Sequence, residues 1–299
     1  MLQKEIYDYG YLMRALERGA ACEDVKIDTL GHSILGREIP LLTVGNGNRG
    51  VLYVGAHGGT EGLTCAVLLE FIFDILGKCK SDAQVYERKL RTLLEERRIF
   101  VIPMLNPDGV EYALHGIGDS NPLRERVERM SGGEGLAAWQ ANARGVDLHH
   151  NYDTGFLAYK RREASMGVAG GAPSGYSGEY PESEPETAAL CRFLRYRREE
   201  IDGVLTLRLG EEEITCSCRD SLSAKTLSAG RVLQRVTGYR LVHPEENPPL
   251  GGLTDWCIEG LKRPAYTVRC KAAGNASATP HAVIFERLRR ALYTFPYMI

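Results

Sequence analysis

The chain has 299 residues, 43% hydrophobic and 25% charged, an ordinary globular composition long enough to bury a core without staples. A formal net charge of -2 speaks against nucleic acid or an anionic membrane surface as the main partner. No apolar run approaches the roughly 18 residues that cross a bilayer, and the eight cysteines are scattered through apolar patterns as free thiols would be, so the expected compartment is the cytoplasm.

Helix and strand patterns alternate from end to end. The opening contains "YDYGYLMRALERGA", an amphipathic helix and not a signal peptide, and "VKIDTLGHSILGREIPLLTVG" reads as an antiparallel pair turning near Gly36. "GVLYVGA" is a short, continuously apolar strand of the kind buried in a sheet, and "GLTCAVLLEFIFDILGKC" is apolar all round, as a buried helix is. "RRIFVIPMLNPDG" is a second buried strand, closed by the turn signal Asn106-Pro107-Asp108-Gly109. Residues 115–183 are rich in Gly, Ser, Pro and Asn and predict a long irregular segment.

Beyond it, "SEPETAALCRFLRYRREE" predicts a helix with Ser183 as N-cap, Pro185 at its start and Glu186 at the capping-box position. A third buried strand, "IDGVLTLRLG", runs into "LGEEEIT", a solvated acidic turn or a counterweight to the arginines. A helix over "SLSAKTLSAGRVLQRVTG", a strand over "RPAYTVRC" and an amphipathic helix over "TPHAVIFERLRRALYTF" complete the chain. This alternation implies an α/β fold: one domain over residues 1–299, with a central mixed, mostly parallel and twisted sheet and helices on both faces. Such sheets bind ligands at the carboxyl ends of their strands, where His57, Asn106, Arg208 and Arg269 fall.

"VGAHGGTEGLT" places His57 and Glu61, two metal-binding residue types, in a Gly-rich turn between a strand and a helix. Cys216-Ser217-Cys218 puts two thiols on one face of a strand without further ligand types close by, and reads as structural.

Taken together, "GHSILGREIPLLTVG", "GAHGGTEGLT", "NPDGVEYALHG", "WQANARGVDLHHNYDTGF", "SEPET" and "GGLTDWCIEGLKRPAYTV" resemble, in order and spacing, the zinc carboxypeptidase family. The nearest resemblance is to its bacterial branch of γ-D-glutamyl-meso-diaminopimelate peptidases. The family's zinc takes two His and one Glu and leaves a position open for water. A separate Glu serves as general base and acid, and a polar pocket holds the substrate carboxylate.

Matched by its flanks, the family's Glu ligand falls on Glu61, and the first His ligand falls on Gly58, one residue after His57. The second His position holds Arg208 and the general-base position Arg269. A guanidinium has no lone pair for a metal or a proton. The substrate-carboxylate segment carries His149 and His150.

The resemblance with these substitutions implies a catalytically inactive relative, with no cofactor and with Glu61 paired to an arginine. Its cleft, lined by Arg208, Arg269, Glu61, His149 and His150, would hold a small peptide or another anion. The alternative is an active zinc peptidase for peptidoglycan-type peptides, in which His57 and Glu61 recruit His149 or His150. In the plainer readings, His57 is a hydrogen-bonded loop histidine, and the two arginines are core-edge cations in a salt-bridge network. His149 and His150 read equally well as pocket lining or as loop packing.

Overall fold

A computed structural model describes residues 5–20, 22–79, 83–86, 88–216, 222–242, 250–272 and 280–299. The first half runs α1 (Tyr9–Ala20), β1 (Val25–His32), β2 (Glu38–Val44), β3 (Arg49–Val54), α2 (Gly62–Cys79), the short β4 (Gln84–Val85) and β5 (Arg88–Lys89), α3 (Leu90–Glu96), β6 (Arg97–Ile102), α4 (Pro107–His115) and α5 (Arg124–Ser131). The second half runs α6 (Phe156–Ser165), α7 (Pro185–Tyr196), β7 (Ile201–Leu209), β8 (Glu213–Thr215), α8 (Ala224–Thr237), β9 (Arg240–Val242), α9 (Leu253–Trp256), β10 (Ala265–Cys270) and α10 (His281–Met298).

One mixed eight-stranded sheet, ordered β1-β2-β6-β3-β7-β10-β8-β9, carries the architecture, and the fold is α/β. Its central strands β6, β3, β7 and β10 run parallel. Antiparallel pairings bring in β1 and β2 on one side and β8 on the other. The β1–β2 pair turns through Gly36 at a φ of 79°, a left-handed conformation that glycine adopts without steric cost.

Both faces of the sheet are buried, and the period-two alternation of each strand divides its side chains between two cores. Val51, Tyr53, Ile99, Val101, Leu205, Leu207, Tyr266 and Val268 pack with residues of α1, α2, α8 and α10. Leu52, Val54, Phe100, Ile102, Val204 and Ala265 face the other way, onto Leu190 and Leu194 of α7 and Leu253 and Trp256 of α9. Helix α2 has almost no polar face because it lies under the sheet with α10 against it. No helix among the described residues is long and apolar enough to cross a membrane.

Local readings of the sequence are corrected at four places. Asn106-Pro107-Asp108-Gly109 starts α4 instead of forming a free turn: the Asn106 side chain accepts the Gly109 N–H, and Pro107 occupies the first helical position. The supposedly irregular 115–183 contains α5 and α6. The N-cap of α7 is Glu184, because Ser183 turns its hydroxyl to the Glu184 carboxylate and Glu186 is drawn into the interior toward Ile34 N–H. In "LGEEEIT" the turn ends at Glu213, whose strand β8 pairs with β10. The Cys216-Ser217-Cys218 pair lies partly outside the described residues.

Candidate functional site

The parallel strands end on one edge, and the site is built from the segments that leave them there. After β3 the chain turns at once. Ala56 takes a φ of 45°, a region that costs a residue with a side chain. The extended alternation therefore stops before His57 and Gly58. His57 is buried, with its Nε2 3.0 Å from the Tyr152 hydroxyl and its Nδ1 without a hydrogen-bond partner among the described residues. Burial, followed by the charge of His149, lowers the His57 imidazole to about 3, so the ring is neutral.

A Cβ at Gly58 would lie 2.0 Å from Gln140 Oε1, the tip of a flexible side chain, and 3.0 Å from His149 Cε1, so a side chain there would displace Gln140 and press on His149. The imidazole of His149 thus lies against the Cβ position that Gly58 leaves unfilled. One turn of 3-10 helix later, Glu61 is buried at 2% exposure and accepts the Gly58 N–H at 3.1 Å.

Arg208, at the end of β7, donates from Nε to Glu61 Oε1 at 3.2 Å. His149, in the turn Leu148–His150, donates from Nε2 to Glu61 Oε2 at 3.3 Å and from Nδ1 to Asp147 Oδ1 at 2.9 Å. Burial alone would raise the Glu61 carboxyl, but His149 and Arg208 outweigh it and hold the group well below the usual carboxylate range. Burial and Arg208 press the His149 imidazole down, yet Glu61 and Asp147 together raise it above its ordinary value. The result is a compact buried network in which an imidazolium and a guanidinium neutralise two carboxylates.

His150 takes a different part. Its Nδ1 donates to the Leu250 carbonyl at 2.8 Å, and its ring stacks on Tyr159 at 3.8 Å, with burial lowering it to about 4. Arg269 follows Val268 on β10, directly across from Arg208 in the strand register. Its guanidinium comes no closer than 3.8 Å to Glu213 and is depressed first by burial and then by Arg208. His57, His149, His150, Arg208 and Arg269 line one cleft of about 440 Å³, and Glu61 lies behind Arg208.

Several residues of this cleft were not singled out from the sequence. Asp147 and Tyr152 orient the two histidines, and Thr206, Thr215 and Thr267 form part of the floor. A signal existed: Thr206-Leu207-Arg208 and Thr267-Val268-Arg269 repeat a Thr-x-Arg pattern at the ends of two strands, with Thr and Arg on one face of each.

The sequence profile described as "Zinc carboxypeptidase" matches residues 14–238. The chain belongs to the zinc carboxypeptidase family. A γ-D-glutamyl-L-diamino acid endopeptidase of Lysinibacillus sphaericus is 24% identical over 272 residues, covering 90% of this chain and 66% of that relative. Among solved structures, the fold is shared with bovine thrombin-activatable fibrinolysis inhibitor in complex with tick carboxypeptidase inhibitor, at a TM-score of 0.69 and 19% identity over 99% of this chain and 96% of that one. Murein-tripeptide amidase MpaA from Escherichia coli O157 matches with a TM-score of 0.54 and 20% identity over 93% and 94%.

This membership corrects the expectation that the chain takes no cofactor, because the family is one of zinc enzymes and zinc is the ion it implies. The residues present do not fit the family's three-ligand set. His149 Nε2 and Glu61 Oε2 stand 3.3 Å apart as one pair of donors, but the next neighbour is the guanidinium of Arg208, and His57, although its Nδ1 is unpartnered among the described residues, does not converge with them as a third ligand. Among the described residues, three groups of ligand type converge at Asp8, Glu111 and His115, none of which lines the cleft. The cleft residues therefore support no step through the metal.

Proposed function

We propose that this carboxypeptidase-fold protein binds the anionic end of a peptide in its cleft and does not hydrolyse it by the family's route. The observation that carries this reading is the Arg208–Glu61 pair. The carboxylate at the family's ligand position is held by a guanidinium from its second His position, while the terminal amino groups of that guanidinium have no partner among the described residues. Arg269 stands where the general base belongs and cannot accept a proton from water. A fork of N–H donors binds a carboxylate well, so the altered residues favour retention of an anion over cleavage.

The class of peptide comes from the relatives. The Lysinibacillus protein is named for action on γ-D-glutamyl-L-diamino acid bonds, and MpaA for murein tripeptide, so peptidoglycan-type peptides are the first ligands to try. The test mixes the protein, supplied with one equivalent of zinc, with such a peptide and follows both binding and the release of fragments. Binding without cleavage is the expected result. Turnover above the uncatalysed background would sink the reading.

A second reading is supported by His149. An imidazole that gives one nitrogen to a buried carboxylate and aims the other at a second carboxylate has the arrangement of a metal-ligating histidine with its supporting group. In that case the chain would be an active zinc peptidase with a rearranged site. Turnover abolished by His149→Ala and by chelation would favour it.

A further inference from the structure

The wall of the cleft formed by β7 and β10 changes character in steps. Along the face that meets α7 and α9, β7 presents Val204, Thr206 and Arg208, and β10 presents Ala265, Thr267 and Arg269. The parallel register aligns these pairwise: Val204 with Ala265, Thr206 with Thr267, Arg208 with Arg269. On the far side, β8 extends the middle row by pairing Thr215 with Thr267. An apolar row under α9 thus gives way to a row of three hydroxyls and then to a pair of guanidiniums, all of the latter five residues lining the cleft.

The protein itself uses only some of the donors in these rows. Thr267 shares a hydrogen bond with the Thr254 hydroxyl at 2.7 Å. Thr206, by contrast, is 3% exposed, and its hydroxyl has no hydrogen-bond partner among the described residues. Arg208 gives only Nε to Glu61, and Arg269 meets Glu213 only at 3.8 Å. Arg162 adds a third guanidinium on the cleft lining from α6. The two half-buried guanidiniums stand on neighbouring strands, about 4.8 Å apart in the backbone; Glu61 and Glu213 offset part of their repulsion from either side, and an anion between them would offset more.

Resting on the anion-binding reading above, we infer that this wall is a site for a tetrahedral, doubly charged oxyanion, that is, a phosphoryl group. A planar carboxylate offers two oxygens in one plane. A phosphoryl group offers oxygens at two depths, so that one can take the Thr206 hydroxyl while the others take the Arg208 and Arg269 forks. Arg208 is already balanced by Glu61, but Arg269 and Arg162 add two further guanidiniums to the lining, and a charge of about -1.5 to -2 at neutral pH matches these better than one carboxylate does. Free phosphate and a phosphomonoester share this chemistry.

The test is calorimetric titration of the purified full chain with inorganic phosphate, a simple phosphomonoester, acetate and succinate at fixed ionic strength. Phosphate or the monoester should bind at least about tenfold more tightly than either carboxylate, the margin expected for added charge-assisted hydrogen bonds. A monoester preferred over free phosphate would assign the site to a phosphorylated ligand, and the reverse order to the free ion. Thr206→Val, which keeps shape and removes only the hydroxyl, should narrow the margin over succinate, and Arg269→Gln should erase it. Succinate binding as tightly as phosphate, or a margin that survives both substitutions, overturns the tetrahedral site and leaves the anion cleft standing. If none of the four ligands binds, the anion-binding reading falls together with it.

Discussion

Arg208 and Arg269 occupy opposed positions in the register of β7 and β10, so two like charges open into the same cleft from adjacent strands. They are tolerated because each has an acidic neighbour from a different element, Glu61 from the turn before α2 and Glu213 from β8. The two neighbours are unequal. Glu61 is buried and in hydrogen-bond contact, whereas Glu213 is at the edge of salt-bridge distance. Arg208 is consequently anchored to the structure through Nε, with its terminal nitrogens left for a ligand, whereas the whole Arg269 guanidinium is available to ligand.

That inequality predicts different costs of removal. Arg208→Ala leaves Glu61 buried with His149 as its remaining charged partner, and should destabilise the protein by about 2–3 kcal/mol. Arg269→Ala removes a weak pair and should cost well under about 1 kcal/mol. Urea denaturation of the two variants checks the order; equal losses would mean that Glu61 does not depend on Arg208.

Gly58 is held by space and not by backbone conformation, since its φ of -93° suits any residue. Gly58→Ala should lower stability by about 1–3 kcal/mol through overpacking against Gln140 and His149. Gln140→Ala should recover part of that loss, because the closest approach, 2.0 Å, is to the Gln140 side-chain oxygen. Thermal unfolding of the two single variants and the double variant tests this. Strict additivity would show that Gln140 does not fill the space beside Gly58.

The three cleft histidines should titrate apart. His57, at about 3, and His150, at about 4, should remain neutral at pH 6, while His149, raised above its ordinary 6.5, should be protonated there. The raised His149 contributes stability that is fully present below 6.5 and is lost as pH rises through its folded value. The depressed Glu61 contributes stability present above 4.5 and lost as pH falls. Imidazole resonances followed by NMR, assigned with His149→Gln, provide the check, and a His149 that titrates below His57 would contradict the network.

Glu186 is fully buried between Asn142 and the Ile34 N–H, and burial raises its carboxyl to about 8. Because the folded value lies above the unfolded 4.5, its contribution is full below pH 4.5 and is lost as pH rises toward 8, at up to about 1.4 kcal/mol per pH unit. Glu186→Gln should flatten the stability profile across this window relative to the unmodified protein. Denaturant midpoints at pH 5, 6.5 and 8 measure the difference, and parallel profiles would refute a protonated Glu186.

The sheet and its burial follow from the apolar pattern of the chain alone. Unbroken apolar strands such as "GVLYVGA" and an all-round apolar helix such as Gly62–Cys79 can satisfy their surfaces only inside a layered α/β fold, whatever surrounds them. Residue type also limits which chemistry is possible at single positions, since an arginine at 208 or 269 can donate hydrogen bonds but cannot ligate or accept a proton. Which side chains meet depends on how the elements pack. Gly58 and His149 are 91 residues apart in the chain, and nothing in local spacing says that the imidazole of one lies against the Cβ position that the other leaves unfilled. The same holds for the alignment of Thr206 with Thr267 and of Arg208 with Arg269. It depends on the register of two strands joined by a long connection, and register is set by which face must be buried, a property of the packed sheet and not of either strand alone.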